Sequence, residues 1–109
     1  MEWINITSIN QVDEIANNHS EIILIFKHST RCSISSMAMN RLESSWNEQA
    51  STIKTYYLDL IAYRSVSNYI ADKFDVYHES PQVLLIKKGE CFYEETHMGI
   101  RYEEIVEQI

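Results

Sequence analysis

The segment KHSTRCSISSMAMNRLESSW, residues 27–46, contains a cysteine in a position where thiol chemistry is possible. Cys32 and Ser35 have the spacing of a C-x-x-C redox motif, with serine in place of the second cysteine. An apolar strand pattern precedes Cys32 and a helical pattern follows it. Free backbone N–H groups and the positive end of the helix dipole would gather there and favour the thiolate, the attacking species in thiol–disulfide exchange.

Several neighbouring side chains could support this thiolate. Arg31 adds a positive charge, and His28 and Thr30 are close in sequence. The Ser35 hydroxyl, one helical turn further on, could donate a hydrogen bond to the Cys32 sulfur, but it cannot close a disulfide. A site with one cysteine must therefore pass its sulfur link to a second molecule. This favours exchange with a small thiol over the cycle of a dithiol reductase.

Each of these residues also has a plain structural interpretation. A free cysteine such as Cys32 is often a small buried hydrophobe, Arg31 can be a solvated side chain, and His28 can simply end a strand. Cys91 is expected to pack rather than to resolve a disulfide, because a resolving cysteine needs its Cα within about 7 Å of its partner's. No pair among the four histidines, at positions 19, 28, 78 and 97, has the spacing of metal ligands, so no metal site is predicted.

The elements that must position these residues alternate between strands and helices. Strand patterns cover residues 3–6, 22–27, 55–60, 82–86 and 91–95, and a tight turn at Lys88-Gly89 joins the last two. Four helices are predicted. The first follows Ser8 as its N-cap, and the second runs from Cys32 to about Gln49 with Ser29 or Thr30 as its N-cap. The third starts at Ser65 or Ser67, and the fourth covers residues 100–109 at the end of the chain. In the second helix Ile34, Met37, Ala38, Leu42 and Trp46 form one apolar stripe that is expected to face the core.

The order β-α-β-α-β-α-β-β-α predicts an α/β protein with a central mixed sheet flanked by helices. Helices between successive strands imply parallel pairing, and the C-terminal hairpin adds an antiparallel edge. This is the order of elements in the thioredoxin fold. Only two glycines and one proline occur in 109 residues, so a single domain spanning 1–109 is expected.

The composition of the chain limits which kinds of molecule are expected to bind it. The net charge of −7 and the lack of any Lys/Arg-rich run argue against nucleic acid and anionic membranes. The start of the chain lacks the pattern of a secretory signal, and the longest apolar run is too short to cross a bilayer. With only two cysteines, the chain is expected to be a reduced, cytoplasmic protein, and its oligomeric state is left open.

Three segments, KHSTRCSIS, ESPQVLLIKKGE and HMGI, resemble the monothiol bacilliredoxins of the bacillithiol system, a thioredoxin-like family. The resemblance spans nearly the whole chain, and the T-x-C-x-I-S motif followed by S-P-Q-V carries most of it. It implies that Cys32 removes bacillithiol from protein mixed disulfides. Bacillithiol would be a co-substrate, no cofactor would be bound, and S-thiolated client proteins would be the partners. The family usually has proline after the cysteine, where this chain has Ser33.

The resemblance also implies a ligand groove beside the thiol. Pro81 would be a cis proline lying against Cys32. Ser80 would offer backbone groups to an extended ligand, and Gln82 and Gly99 would shape the groove, with His97 at its border.

Two other functions remain open. One is an iron–sulfur carrier of the monothiol glutaredoxin type, although that family follows its cysteine with Gly-Phe-Ser and this chain has Ser33-Ile34-Ser35. The other is a thioredoxin-fold binding module without turnover. A peroxidase is disfavoured, because peroxiredoxins carry a proline three residues before a T-x-x-C motif and none precedes Thr30 here.

Overall fold

A computed structural model describes all 109 residues of the chain. The strands are β1 Ile4–Asn5, β2 Ile23–His28, β3 Lys54–Asp59, β4 Gln82–Lys87 and β5 Glu90–Thr96. The α-helices are α1 Ile9–Asn17, α2 Ser33–Ser45, α3 Arg64–Lys73 and α4 Tyr102–Glu107, and short 3-10 helices cover Glu48–Ala50 and His97–Gly99. No helix has the length and apolar character needed to cross a bilayer.

The five strands form one mixed sheet in the order β1-β3-β2-β4-β5. Strand β3 pairs in parallel with β1 and β2, whereas β4 pairs antiparallel with both β2 and β5. The predicted mixed sheet is confirmed. The prediction that every helix-separated strand is parallel was wrong for β4. This strand begins at the end of the sheet where β2 terminates, so the two can pair only in opposite directions.

Strand β2 lies at the centre of the sheet, and all six of its residues are buried. Its side chains alternate between two apolar clusters, one on each face. Ile23 and Ile25 join the cluster beneath α1 and α3, and Leu24 and Phe26 join the cluster beneath α2 and α4. Coverage of both faces explains why this strand is a continuous apolar run rather than an alternating one.

The predicted hairpin is confirmed. Lys88 and Gly89 both have positive φ angles, of 53° and 78°, as a two-residue turn between antiparallel strands requires. A Cβ on Gly89 would lie 2.7 Å from the backbone oxygen of Ala16, so the turn also packs closely on the end of α1. Glycine satisfies both demands.

The helix starts were predicted less well. The Ser8 hydroxyl caps α1 as expected, accepting the Gln11 N–H at 3.4 Å. Neither Ser29 nor Thr30 caps α2, whose N-cap is Cys32, and α3 begins at Arg64 rather than at a serine. The earlier start of α3 follows from a turn after β3. In this turn the Asp59 carboxylate accepts the backbone N–H groups of Ile61 and Ala62. Helix α2 ends at Ser45 instead of Gln49, and α4 is shorter at both ends than predicted.

The apolar stripe of α2 is only partly a core stripe. Ala38 and Leu42 are buried, but Ile34 and Met37 are 44% and 57% exposed. Ser35 is fully buried in their place. The first turn of α2 is therefore rotated so that a polar residue enters the protein and two apolar side chains face solvent beside Cys32.

Candidate active site

Cys32 lies where the chain passes from the central strand into α2. It is half-buried and serves as the N-cap, with its own N–H donated to the Ser29 carbonyl at 3.1 Å and its carbonyl accepting the Ser36 N–H at 3.1 Å. Its side chain makes no capping hydrogen bond. The sulfur thus stands at the amino end of a helix of 13 residues, where unpaired N–H groups and the helix dipole favour negative charge.

Ser35 holds the turn that carries the thiol. Its Oγ accepts the Ser29 N–H at 3.1 Å and lies 2.7 Å from His28 Nδ1. No hydrogen bond joins this hydroxyl to the Cys32 sulfur, so the expected Ser35–sulfur contact was wrong for this structure. The buried serine instead ties the end of β2 to the first turn of α2, because Ser29 in turn accepts the N–H of Cys32.

His28 ends β2 and is only 7% exposed. Its ring lies against two aromatic rings, with centroid distances of 6.1 Å to Phe26 and 5.7 Å to Tyr57. Burial lowers the pKa of the imidazole below its ordinary value of 6.5, and the nearby carboxylates of Asp59 and Glu43 partly oppose this effect. His28 is therefore neutral at pH 7 and buried beneath the turn rather than placed on the surface.

The two remaining supporting residues, Thr30 and Arg31, occupy the turn before Cys32. Both are exposed, and their side chains form no hydrogen bond or ion pair. The Arg31 guanidinium is the cation nearest to Cys32 in sequence, and its side chain is exposed.

The proline segment meets this site from the neighbouring strand. The Ser80–Pro81 peptide bond is cis, and Pro81 is buried. Gln82 opens β4 opposite Lys27, which places Pro81 beside the end of β2. Two buried polar atoms here, Ser80 Oγ and Gln82 Oε1, have no hydrogen-bond partner in the protein.

The 3-10 helix His97–Gly99 forms the other wall of the site. It packs against α2, and the His97 N–H donates to the Pro81 carbonyl at 3.1 Å. Arg41 of α2 donates from Nε and Nη2 to the Ile100 carbonyl, which fixes this wall to the helix that carries Cys32. A Cβ on Gly99 would lie 2.5 Å from the carboxyl group of Glu95, so glycine leaves room for that side chain.

Cys91 lies away from these residues, in β5. It is half-buried and packs against the apolar cluster beneath α1 and α3, whereas α2 covers the opposite face of the sheet. Its Sγ donates to the Tyr93 carbonyl at 3.3 Å, and burial raises the pKa of the thiol. These contacts agree with the packing role expected for Cys91.

The sequence analysis missed a buried charge next to the site. Lys27 is fully buried, and its Nζ lies 3.1 Å from the Ser67 carbonyl and 3.4 Å from His78 Nδ1. Burial lowers the pKa of this ammonium to about 8. The sequence does contain a pattern that indicates this burial. Lys27 follows Ile23 and Ile25 at intervals of two residues, so its side chain is on the same face of β2 as theirs, beneath α1 and α3.

No group of three or more His, Cys, Asp or Glu side chains is placed to hold a metal ion. The fold and the site together define a thioredoxin-fold redox protein that has one cysteine at the amino end of α2.

Comparisons with known proteins agree with this class. The sequence matches the family model described as monothiol bacilliredoxin BrxC over residues 4–105. The chain belongs to the monothiol bacilliredoxin family, which confirms the resemblance drawn from the sequence.

Among solved structures, the chain is similar to a protein described as having a thioredoxin fold and proposed as an oxidoreductase. The two are 28% identical with a TM-score of 0.81, over 95% of this chain and 90% of that chain. It also resembles a thioredoxin of Malassezia sympodialis, at 15% identity and a TM-score of 0.74 over 98% of this chain and 90% of the other. A thioredoxin of Trypanosoma brucei brucei gives 13% identity and a TM-score of 0.74 over 98% and 87% of the two chains. These last two likenesses concern the fold alone.

Proposed function

We propose that this protein is a monothiol thiol–disulfide oxidoreductase that removes bacillithiol from protein mixed disulfides through Cys32. One observation carries the proposal: the half-buried Cys32 stands at the amino end of α2, while the position of a second motif cysteine holds the buried Ser35. The helix end favours a thiolate. A second sulfur atom is lacking at position 35, so the mixed disulfide formed on Cys32 has to be resolved by another molecule.

The reaction has two exchanges. The Cys32 thiolate attacks the bacillithiol sulfur of a client mixed disulfide, the old S–S bond breaks, and the client leaves as a thiolate. Cys32 then carries bacillithiol as a new mixed disulfide. A second thiol, from bacillithiol or a partner reductase, attacks that disulfide and frees Cys32. Each step forms one S–S bond and breaks one, so bacillithiol acts as a co-substrate and no bound cofactor takes part.

The surroundings of Cys32 fit such an exchange. Ser80, Pro81, Gln82 and Gly99 would line the ligand groove, and Arg31 would meet an anionic part of the ligand. The exposed apolar side chains of Ile34 and Met37 on α2, and of Met98 on the facing 3-10 helix, would contact a client protein. The client would be an S-thiolated protein of the cytoplasm, and neither nucleic acid nor a membrane is part of the proposal.

Intact mass spectrometry of the reduced protein tests this function. After exposure to bacillithiol disulfide, we expect one added bacillithiol on the wild type and on Cys91→Ser, and none on Cys32→Ser. Glutathione disulfide in parallel measures selectivity for the small thiol. We then expect the wild type and Cys91→Ser, but not Cys32→Ser, to release bacillithiol from a bacillithiolated client. Retained activity in Cys32→Ser would reject the mechanism, and an unmodified wild type that releases nothing would favour a binding module.

A further inference from the structure

Residues 77–80 lead into the proline of the site, and hydrogen bonds hold them to the rest of the protein at two of their members. The Tyr77 carbonyl accepts a side-chain N–H of Gln82 at 2.9 Å, and the ring of His78 contacts two buried residues. No other hydrogen bond or ion pair joins these four residues to the protein. The position of the segment therefore depends on the contacts of Tyr77 and His78.

Both attachments start at one cross-strand pair of residues. Lys27 of β2 and Gln82 of β4 are opposite each other in the sheet, and both are fully buried. Side chains of opposed residues lie on the same face of a sheet. Lys27 Nζ lies 3.4 Å from His78 Nδ1 and 3.1 Å from the carbonyl of Ser67 on α3. The buried lysine thus joins β2, α3 and the segment before Pro81 at one point.

The ammonium fixes the direction of its contact with His78. A lysine ammonium has only hydrogens to donate, so Nδ1 of His78 accepts and the neutral ring carries its own hydrogen on Nε2. Burial, the Lys27 charge and the charge of Arg64 all lower the pKa of His78, which keeps the ring neutral at pH 7. Ser67 Oγ lies 3.1 Å from the same nitrogen but can donate only a neutral O–H. The charged donor, Lys27, makes the stronger attachment.

Keeping Lys27 charged costs the folded protein free energy. Burial lowers the pKa of this ammonium to about 8, because the charged form is disfavoured away from water. An apolar side chain of similar volume would avoid this cost. Residues that break the packing rules in this way are expected mainly at functional sites. A role in function rather than in stability accounts for a lysine at this position.

We propose that Lys27 is a positioning residue for the client: acting through His78, it holds residues 77–81 where a client chain binds beside Cys32. The inference rests on the proposed function, in which this segment lines the ligand groove. Lys27 lies on the face of the sheet beneath α1 and α3, whereas α2 covers the other face. Loosening the segment therefore weakens client binding and leaves the reactivity of the sulfur unchanged.

The first test is Lys27→Met in steady-state release of bacillithiol from a bacillithiolated client protein. Methionine has a similar length but offers no hydrogen to His78. The contacts from Ser67 and Gln82 remain, so the groove is still formed in a fraction of the molecules. We expect the KM for the client to rise about three- to tenfold and kcat to stay within about twofold of the wild type. Urea unfolding at pH 7 should show a variant at least as stable as the wild type, so lost stability cannot produce the effect.

His78 offers a second route to the same contact. His78→Leu removes the acceptor and should raise the KM for the client as Lys27→Met does. The conservative variant His78→Asn keeps an amide oxygen near the position of Nδ1 and should bring the KM back to the wild-type value. The double variant of Lys27→Met with His78→Leu should be no worse than either single variant, because both remove one contact. Lys87→Met, at the exposed end of β4, is the matched control and should keep both constants.

Two further measurements use no client. The rate of Cys32 alkylation by iodoacetamide, in a Cys91→Ser background, should be the same with and without Lys27→Met from pH 6 to 9, because this small reagent does not fill the groove. Tyr77 is 92% exposed, and chymotrypsin cleaves after tyrosine. Cleavage after Tyr77 should be about three- to tenfold faster in Lys27→Met, because residues 77–80 open more readily.

Each result supports or rejects the proposal. An unchanged KM in a folded Lys27→Met variant would overturn it, and so would slower alkylation, because the lysine would then act on the sulfur. Equal KM values for His78→Leu and His78→Asn would reject the role of the Nδ1 acceptor. If Lys27→Met fails to fold, as judged by circular dichroism, the two His78 variants decide. If the wild type releases no bacillithiol, the proposed function fails, and cleavage after Tyr77 then decides alone whether Lys27 holds the segment.

Discussion

The buried ammonium of Lys27 makes a quantitative prediction about stability. Burial lowers its pKa from 10.5 to about 8 in the folded protein. Between pH 8 and pH 10.5 the unfolded chain binds a proton that the folded chain releases, so stability rises with pH across this window. This lowering of the Lys27 pKa corresponds to roughly 3 kcal/mol of free energy, which is the cost of holding the charged lysine in the folded protein at pH 7.

Lys27→Met removes that cost. Methionine has a similar length and fills an apolar site well, and its own packing energy is independent of pH. We therefore expect the free energy of unfolding of the variant, minus that of the wild type, to fall by roughly 3 kcal/mol between pH 7 and pH 10.5. Urea unfolding followed by tryptophan fluorescence gives both values. Subtracting the two free energies cancels the contribution of the other titrating groups to the pH dependence, because both proteins contain these groups.

Lys87→Met is the control, since Lys87 is exposed at the end of β4 and its ammonium stays in water. Its stability profile should run parallel to that of the wild type. A second measurement is the titration of His78 by NMR. Burial and the Lys27 charge lower the pKa of His78, so its midpoint should rise in Lys27→Met. Wild-type and Lys27→Met profiles that stay parallel within about 1 kcal/mol would show that the ammonium is not desolvated.

Two further substitutions test the packing of the turns. Ser35→Ala should lower the free energy of unfolding by about 1–3 kcal/mol, because the Ser29 N–H loses its acceptor inside the protein. Urea unfolding at pH 7 measures this change. An unchanged unfolding midpoint would mean that water replaces the hydroxyl. Gly89→Ala should cost at least about 1–2 kcal/mol, because the residue has a φ of 78° and a Cβ would meet the Ala16 oxygen at 2.7 Å. A thermal midpoint equal to that of the wild type would contradict this account of the hairpin.

Features encoded by local pattern were predictable from the sequence. The apolar run of β2 predicts a strand covered on both faces, and the structure places it at the centre of the sheet. The Lys88-Gly89 pair predicts a tight hairpin, and the helical spacing after Cys32 predicts a thiol at a helix start. In each case the information lies within one element or one turn, so no knowledge of the tertiary structure is needed.

Features that depend on contacts between elements were not predictable in the same way. The direction of β4 depends on where the chain re-enters the sheet after α3, and residue spacing does not reveal this. The partner of Ser35 is set by the rotation of α2 against β2, which turns Ser35 inward and exposes Met37. The burial of Lys27 follows from the cover that α3 provides through the Ser67 carbonyl, so a residue that usually marks a strand's exit to solvent lies inside.

In the proposed exchange, Ser35 is the reason that Cys32 depends on an external thiol, and this can be tested by restoring the second motif cysteine with Ser35→Cys. At the N-cap and third positions of a helix, Cβ atoms are about 5–6 Å apart, close enough for a disulfide after a small adjustment. In a protein that carries a small thiol on Cys32, the introduced thiolate would attack the Cys32 sulfur. A new S–S bond forms within the motif, the bond to the small thiol breaks, and the small thiol leaves.

Intact mass spectrometry at low protein concentration, in a Cys91→Ser background, follows this release. We expect the Ser35→Cys variant to lose the mass of the small thiol without added reductant, and the parent to retain it. Ser45→Cys adds a thiol at the exposed far end of α2, and this variant should also retain the small thiol. It shows whether the second thiol must lie close to Cys32 or only has to be present in the protein. The introduced thiol accepts the Ser29 N–H only weakly, so some loss of stability should accompany the gain. Retention of the small thiol by a folded Ser35→Cys variant would mean that position 35 is out of reach of Cys32.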